Sequence, residues 1–260
     1  VLSLVAVAGL AAVEAQQPKP FQPQEYQPGK DVVWVPTADS LVQRMLDMAK
    51  VTASDTVIDL GSGDGRTVIA AAKRGAKALG VEYNPEMVAL SRQNAEKAGV
   101  ADKATFVQGD LFKTDFSQAS VVTLFLLPEI NLRLRPTILA MKPGTRVVSN
   151  SFDMGDWAAD ETAASVSNCR TFCNAFFWVV PAKVEGTWQL GSSRLVLEQT
   201  FQMLKGTLTT GNVVAPVKGR LKGAEIVFTA AGAEYKGRVK GNVMEGTSTA
   251  AGKESWRATK

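Results

Sequence analysis

The chain has 260 residues, 45% hydrophobic and 21% charged, enough apolar side chain for one large domain or two small ones and too much for a disordered polymer. It contains no histidine, which removes Ser-His-Asp and Cys-His catalysis and most zinc sites, and its two cysteines lack the second pair that would suggest a metal. The formal charge of +4 is uneven: from Ala182 onward 12 Lys/Arg stand against 6 Asp/Glu, and the rest of the chain is slightly acidic.

Residues 1–13 are almost wholly apolar, and Glu14-Ala15-Gln16-Gln17 follows. This reads as the hydrophobic core of a secretory signal with a small-residue cleavage site at Ala15. An uncleaved membrane anchor and a plain apolar tail are the alternatives; the run is short for a spanning helix. Residues 16–30 are rich in Gln and Pro and read as an extended linker, so that 1–30 forms a leader and 31–181 the next unit.

Within that unit Leu41, Met45, Leu46 and Met48 form a helical apolar stripe, with Thr37 or Asp39 as its cap. Strands are predicted over 56–60, up to Glu82, over 105–109, 121–127 and 145–150, and helices over 66–74, 85–98 and 131–139. A closing antiparallel strand is predicted over 174–180. Strands alternating with helices at this spacing give a parallel α/β sheet with helices on both faces. Cys169 and Cys173 are left as two buried thiols or one local disulfide.

The first strand runs into Gly61-Ser62-Gly63-Asp64-Gly65-Arg66 and then a helix. Such a turn brings bare backbone N–H groups to the carboxyl edge of a sheet, where a Cβ would block the turn or the ligand. A dinucleotide fold wants glycine at the first, third and sixth positions. Here the sixth is Arg66 and the fifth is Gly65, and Gly-x-Gly-x-Gly favours S-adenosylmethionine (SAM) over NAD. The second strand ends in Glu82, an acid placed to accept from ribose hydroxyls. The third is followed by Asp110, placed to accept from an adenine amino group. Each acid alone is explained as a turn residue or helix cap; Asp59, Glu82 and Asp110 in series around a glycine turn are harder to explain so.

At these residues the chain resembles a known family. Asp59 to Arg66, Gly80-Val-Glu-Tyr-Asn84 and Gly109-Asp110-Leu-Phe112 look like the class I, seven-β-strand methyltransferases. Trp34-Val-Pro-Thr37, Ser91-Arg92, Leu124-Phe-Leu-Leu-Pro-Glu129, Gly144-Thr-Arg-Val-Val148 and residues 152–157 are similar to a membrane-associated protein-lysine methyltransferase branch, whose mitochondrial members modify the ATP synthase c-subunit and the adenine nucleotide carrier. The resemblance implies a Rossmann-like seven-stranded sheet. It implies SAM contacts from Pro36, Thr37, Asp59, Gly61, Ser62, Gly63, Asp64, Gly65, Glu82, Tyr83, Asn84, Asp110, Leu111 and Phe112. In this fold the end of the fourth strand faces the transferable methyl, which nominates Pro128 and Glu129. Glu129 is either the group that orients or deprotonates a lysine, or an acid favoured by a helix dipole. The Asn/Asp-Pro-Pro-Tyr/Phe motif of amide and adenine N-methyltransferases is missing there. That argues against those substrates; the resemblance implies a protein lysine as the acceptor, with a small-molecule acceptor or a non-catalytic SAM-binding scaffold as alternatives. The implied location is membrane-associated or exported, or a cytoplasm-facing anchor.

Residues 182–260 change character, with eight short β-type runs separated by turns, read as an antiparallel meander or small barrel. Lys218-Gly-Arg-Leu-Lys-Gly223 is echoed by Lys236-Gly-Arg-Val-Lys-Gly241, which puts Lys218, Arg220 and Lys222 on one strand face and Lys236, Arg238 and Lys240 on another. That face is either a solvated, aggregation-resistant surface or a patch for anionic membrane or an acidic partner. No aromatics are interleaved, so nucleic acid is not expected as a partner, and no metal is expected.

Overall fold

The apolar runs on either side of the glycine turn become the centre of a seven-stranded sheet in the computed structural model, which describes residues 21–163, 168–249 and 254–260. Residues 1–20, the apolar segment and the first five residues of the linker, lie outside the described residues. Strands β1 (Thr56–Leu60), β2 (Lys77–Glu82), β3 (Ala104–Gln108), β4 (Val121–Leu124) and β5 (Arg146–Asn150) are parallel; β6 (Glu161–Ala163) pairs antiparallel with β7 (Ala175–Val179), itself antiparallel to β5. The spatial order is β3-β2-β1-β4-β5-β7-β6. Chain order reverses between β1 and β4, which opens a crevice at their carboxyl ends.

Helices α1 (Asp39–Met48), α2 (Arg66–Lys73), α3 (Pro85–Lys97) and α4 (Pro128–Leu139) cover the sheet. Side chains alternate across it: Val57, Val121, Val148 and Phe177 join one core with Leu41 and Val68, while Ile58, Val122, Val147 and Trp178 join another with Leu134. Burial on both faces explains why β1 and β4 read as continuous apolar runs.

Two local expectations change. The cap of α1 is Ala38, without a side-chain bond; the Thr37 hydroxyl instead accepts from the Asn150 amide at 3.2 Å, and Asp39 faces Arg66 at 3.6 Å. The fourth strand stops at Leu124, and α4 begins at Pro128 rather than near 131, since proline at a first helical position needs no N–H and has its φ already set. Residues 125–127 thereby leave the sheet. Asn84 caps α3, its side chain accepting from the Glu86 and Met87 N–H groups.

Eight further strands close into an antiparallel barrel: β8 (Gly186–Leu190), β9 (Ser193–Thr200), β10 (Met203–Thr210), β11 (Val213–Lys222), β12 (Glu225–Ala230), β13 (Ala233–Lys240), β14 (Val243–Ser248) and β15 (Glu254–Thr259). Closure by β15 against β8 removes the edges that a meander would expose. Its interior holds Trp188, Phe228, Tyr235 and Trp256, with Phe228 stacked on Tyr235 at 4.6 Å and Trp256 edge-on to both. The repeated Lys-Gly-Arg pattern now has a packing reason. A Cβ on Gly219 would lie 2.5 Å from Phe228 Cβ, and one on Gly237 would lie 2.5 Å from the Trp256 ring.

The basic residues of the repeat do face outward, but they are not a uniform patch. Lys222, Glu225, Arg238, Glu245 and Arg257 stand opposite one another on five successive strands, alternating in sign. Arg220 pairs with Asp160, and Lys236 with Glu234 at 2.7 Å. The barrel meets the sheet through Phe201, which stacks on the fully buried Trp157 at 6.1 Å, and through Gln202, whose amide donates to Ala158 O at 2.7 Å. Cys169 and Cys173 form a disulfide in the segment before β7. Among the described residues no helix is long and apolar enough to cross a membrane.

Candidate active site

The crevice at the β1–β4 switch point is a cavity of about 460 Å³, within the range of small-molecule sites. Its floor is the glycine turn after β1. Gly61 and Gly63 have φ of +79° and +55°, a conformation that side chains rarely adopt, and the Gly61 N–H is used on Val81 O at 2.8 Å. The turn thus holds itself against β2 and presents its other face to the cavity. Ser62, a residue 5% exposed, lines the cavity, and its buried Oγ, which lies toward Gly80, has no partner in the protein.

Glu82, at the end of β2, is held with its carboxylate aimed into the same space. Gly63 N–H donates to one oxygen and Asn84 N–H to the other, each at 2.9 Å. A carboxylate has about four lone-pair sites, so two remain for a ligand's hydroxyls. Asp59, at the end of β1, is 7% exposed and accepts from the Thr123 hydroxyl at 2.6 Å. Burial, with Glu82 and Asp64 nearby, pushes its carboxyl up to about 7. Asp59, Asp64 and Glu82 all line the cavity. Asp64 is answered by Arg66, so Asp59 and Glu82 are the acids that favour a cationic occupant.

One wall is a segment before α1. Residues 27–37 line the cavity, and Trp34 packs so closely that a Cβ on Gly63 would come 2.7 Å from its Nε1. Arg66 anchors this wall, donating to both Asp64 oxygens and, through Nη1, to Thr37 O at 2.8 Å. Lys30 Nζ reaches Asp110 Oδ2 at 2.8 Å and sits over the Tyr83 ring. That ammonium, with the Phe112 N–H, holds Asp110 below the usual carboxylate range.

Of the residues nominated from sequence, Pro36, Thr37, Asp59, Gly61, Ser62, Gly63, Asp64, Glu82, Tyr83, Asn84, Asp110 and Leu111 line the cavity; Gly65, Phe112, Pro128 and Glu129 do not. Gly65 caps α2 with φ +83° and serves helix packing instead, for its Cβ would strike the Phe106 ring at 2.7 Å. The Phe112 ring turns toward Arg133, 3.7 Å away. Glu129 is exposed in the first turn of α4, where the helix dipole accounts for an acid, and Pro128 opens that helix. The sequence reading missed Lys30 and a group of three rings, Phe125, Phe152 and Phe172, which line the opposite side. Nothing local marks these rings, because they come from three separate loops.

The set fits SAM: a cationic, nucleoside-bearing ligand would meet convergent acids and a close-approach glycine turn. The comparisons agree. The family model described as the ANTKMT methyltransferase domain matches residues 59–161. A protein-lysine N-methyltransferase of Saccharolobus islandicus is 47% identical over 133 residues, covering 50% of this chain and 83% of the relative. The mouse lysine N-methyltransferase of the ATP synthase c-subunit is 38% identical over 130 residues, and there the match spans about half of each protein, 50% and 52%. A solved structure described as an RNA methyltransferase from Salinibacter ruber, in complex with S-adenosyl-L-homocysteine, is 47% identical with a TM-score of 0.54, covering 58% of this chain and 96% of that one. Fold, cavity and matches together place this chain in the SAM-dependent protein-lysine N-methyltransferase family.

Proposed function

We propose that this chain methylates the ε-amine of a lysine in a protein, with the residues of the switch-point cavity in the following roles. Glu82 receives the ribose hydroxyls, Asp59 faces the cationic methionine end, and the turn of Gly61 and Gly63 lets the ligand approach the backbone. Trp34 and the segment up to Thr37 close over it. When bound, SAM supplies a methyl group activated on a sulfonium. Transfer needs an aligned acceptor with a free lone pair, which is mainly a matter of proximity and water exclusion. The observation that carries the reading is the polarity of the cavity: acids converge on the cofactor side, and phenylalanines line the other. Such walls suit the four-methylene stem of lysine and penalise its ammonium form, so the amine sheds its proton to solvent as it enters.

An RNA acceptor is the second reading, favoured by the description of the Salinibacter structure. The cavity offers it little. The cations that line the cavity are Lys30 and Arg66, each paired with an acid, and on the barrel Lys222, Arg238 and Arg257 stand across their strands from Glu225 and Glu245. Phosphate recognition asks for cations without such partners. Transfer of labelled methyl from SAM into a cell extract separates these readings. Label that survives ribonuclease, is destroyed by protease and is recovered as methyl-lysine supports the protein acceptor. Ribonuclease-sensitive label defeats it, and label resistant to both enzymes indicates a small molecule.

The location belongs to the same proposal: residues 1–13 serve as an export signal or as a membrane anchor. The Cys169–Cys173 disulfide supports an oxidising compartment. A fusion of residues 1–30 to a reporter active on only one side of the membrane tests it; activity in the cytoplasm alone would refute export.

A further inference from the structure

The mouth of the cavity is built from three loops that bring one ring each. Phe125 follows β4, Phe152 follows β5, and Phe172 precedes β7. Their centroids lie 5.4 Å (Phe125–Phe172), 5.9 Å (Phe152–Phe172) and 6.2 Å (Phe125–Phe152) apart, and all three rings line the cavity. Two of the loops are fixed by ordinary means. Phe125 is tethered directly to the central strand, and Asn131, fully buried on α4, donates its amide to the backbone oxygens of Phe152 and Asp153 at 3.2 and 3.1 Å. The third is held differently. Phe172 is 36% exposed, has φ of +58°, and lies inside the five-residue loop closed by the Cys169–Cys173 disulfide. A large exposed ring in left-handed backbone is not a conformation that local sequence favours.

We propose that Phe172 is an acceptor-binding residue, the outer wall of a three-ring channel for the lysine stem, and that the Cys169–Cys173 disulfide is the device that positions it. This rests on the protein-lysine reading above and adds to it a residue on the acceptor side, together with a dependence on redox state. With a dithiol such as dithiothreitol, the disulfide becomes two thiols while the dithiol is oxidised to its cyclic disulfide. The loop is then free, and Phe172 loses its place against Phe125 and Phe152. The cofactor side is untouched, since Asp59, Glu82 and Ser62 lie across the cavity on other elements.

The test compares wild type, Phe172→Ala, Phe172→Tyr and the double variant Cys169→Ser/Cys173→Ser, each with and without dithiothreitol. The methyl acceptor is the extract protein fraction labelled in the preceding assay, and S-adenosylhomocysteine affinity is measured alongside. The expected result is a KM for acceptor raised roughly tenfold in Phe172→Ala, a loss on the scale of one aromatic contact, with cofactor affinity unchanged and Phe172→Tyr near wild type. The double variant and reduced wild type show the same rise, and reduction adds nothing to Phe172→Ala, the non-additivity of two changes acting through one contact. An unaltered acceptor KM in Phe172→Ala, or a reduction effect that persists undiminished there, overturns the proposal. Equal loss of cofactor affinity does so too, because it indicates general damage. Wild type that labels no protein at all defeats the protein-lysine reading and this inference with it, an outcome distinct from the others because it shows before any variant is made.

Discussion

The two halves of the molecule handle charge in opposite ways. On the barrel, Lys222, Glu225, Arg238, Glu245 and Arg257 alternate across neighbouring strands, so each charge faces its opposite. In the cavity, Asp64 is answered by Arg66, but Asp59 and Glu82 share one space with only N–H and O–H donors on them, and Asp59 is driven toward neutrality. A surface arranged for stability does the first; only a site awaiting a cation has reason to do the second. The two acids Glu82 and Glu245 therefore test the contrast directly. Replacing Glu82 by alanine removes hydrogen bonds to a charged group, each worth about 1.5–3 kcal/mol, and should weaken S-adenosylhomocysteine binding at least ~30-fold in a calorimetric titration. Glu245→Ala should leave that affinity alone and lower folding stability by less than about 1 kcal/mol. Comparable affinity losses in both would erase the distinction.

Glycine sharpens the same comparison. At Gly63 the backbone is left-handed and a Cβ would meet Trp34; at Gly237 the strand is regular and a Cβ would meet Trp256. Gly237→Ala should cost about 1–3 kcal/mol of stability through overpacking, read from urea denaturation, with cofactor affinity intact in the folded protein. Gly63→Ala should instead disturb binding, because the wall that it displaces is part of the cavity.

How much of this was legible depends on whether a signal is local. The glycine turn, Glu82 and Asp110 follow strands that the apolar runs mark clearly, and the eight short β runs became eight strands because alternation and turns are written within each run. The single-strand pattern of Lys218 to Lys222 showed which residues face out, but only register across four hairpins reveals Glu225 and Glu245 between the basic ones. Closure of the barrel is likewise a property of β8 meeting β15, where Leu190 faces Ala258 and Gln189 faces Thr259. Glu129 was favoured by its place after the fourth strand. Pro128 starts the helix earlier than expected and leaves that acid in its exposed first turn. The three rings at the mouth, from loops 27 and 20 residues apart, carry no common pattern at all.

Asp59 offers a pH signature. Its folded carboxyl lies near 7 against an ordinary value of 3.8, because burial and the neighbouring acids disfavour its charge. A raised folded pKa contributes stability that is complete below the unfolded value and lost as pH rises through the folded one. The ligand-free protein should therefore lose stability from this group between about pH 4 and pH 7, by up to ~1.4 kcal/mol per unit. Asp55 and Asp110, held below their usual range, act in the opposite sense at lower pH, so the informative quantity is the difference from Asp59→Asn. A ligand that brings an ammonium group reverses the preference at Asp59. S-adenosylhomocysteine affinity should rise with pH up to about 7 in wild type and stay flat in Asp59→Asn; parallel profiles would remove Asp59 from the ligand's surroundings.

The smallest effect belongs to Lys30, whose ammonium is hydrogen-bonded to the acid read as an adenine contact. Its ammonium occupies Asp110 Oδ2 at 2.8 Å while Phe112 N–H takes Oδ1 at 2.9 Å, so a ligand amino group must share or displace it. The wall to which Lys30 belongs has other anchors: Trp34 N–H donates to Gln27 O at 3.0 Å, and Arg66 holds Thr37. Lys30→Ala should therefore free Asp110 without releasing the wall, and S-adenosylhomocysteine affinity should rise, by less than about fivefold because exposed ion pairs are weak. The wild-type affinity should also climb with added salt, as screening loosens the pair, while the variant does not respond. A fall in affinity on removing Lys30 would mean that the pair closes the wall rather than competing for the acid, and the cofactor side would then share with the acceptor side a dependence on one clasp.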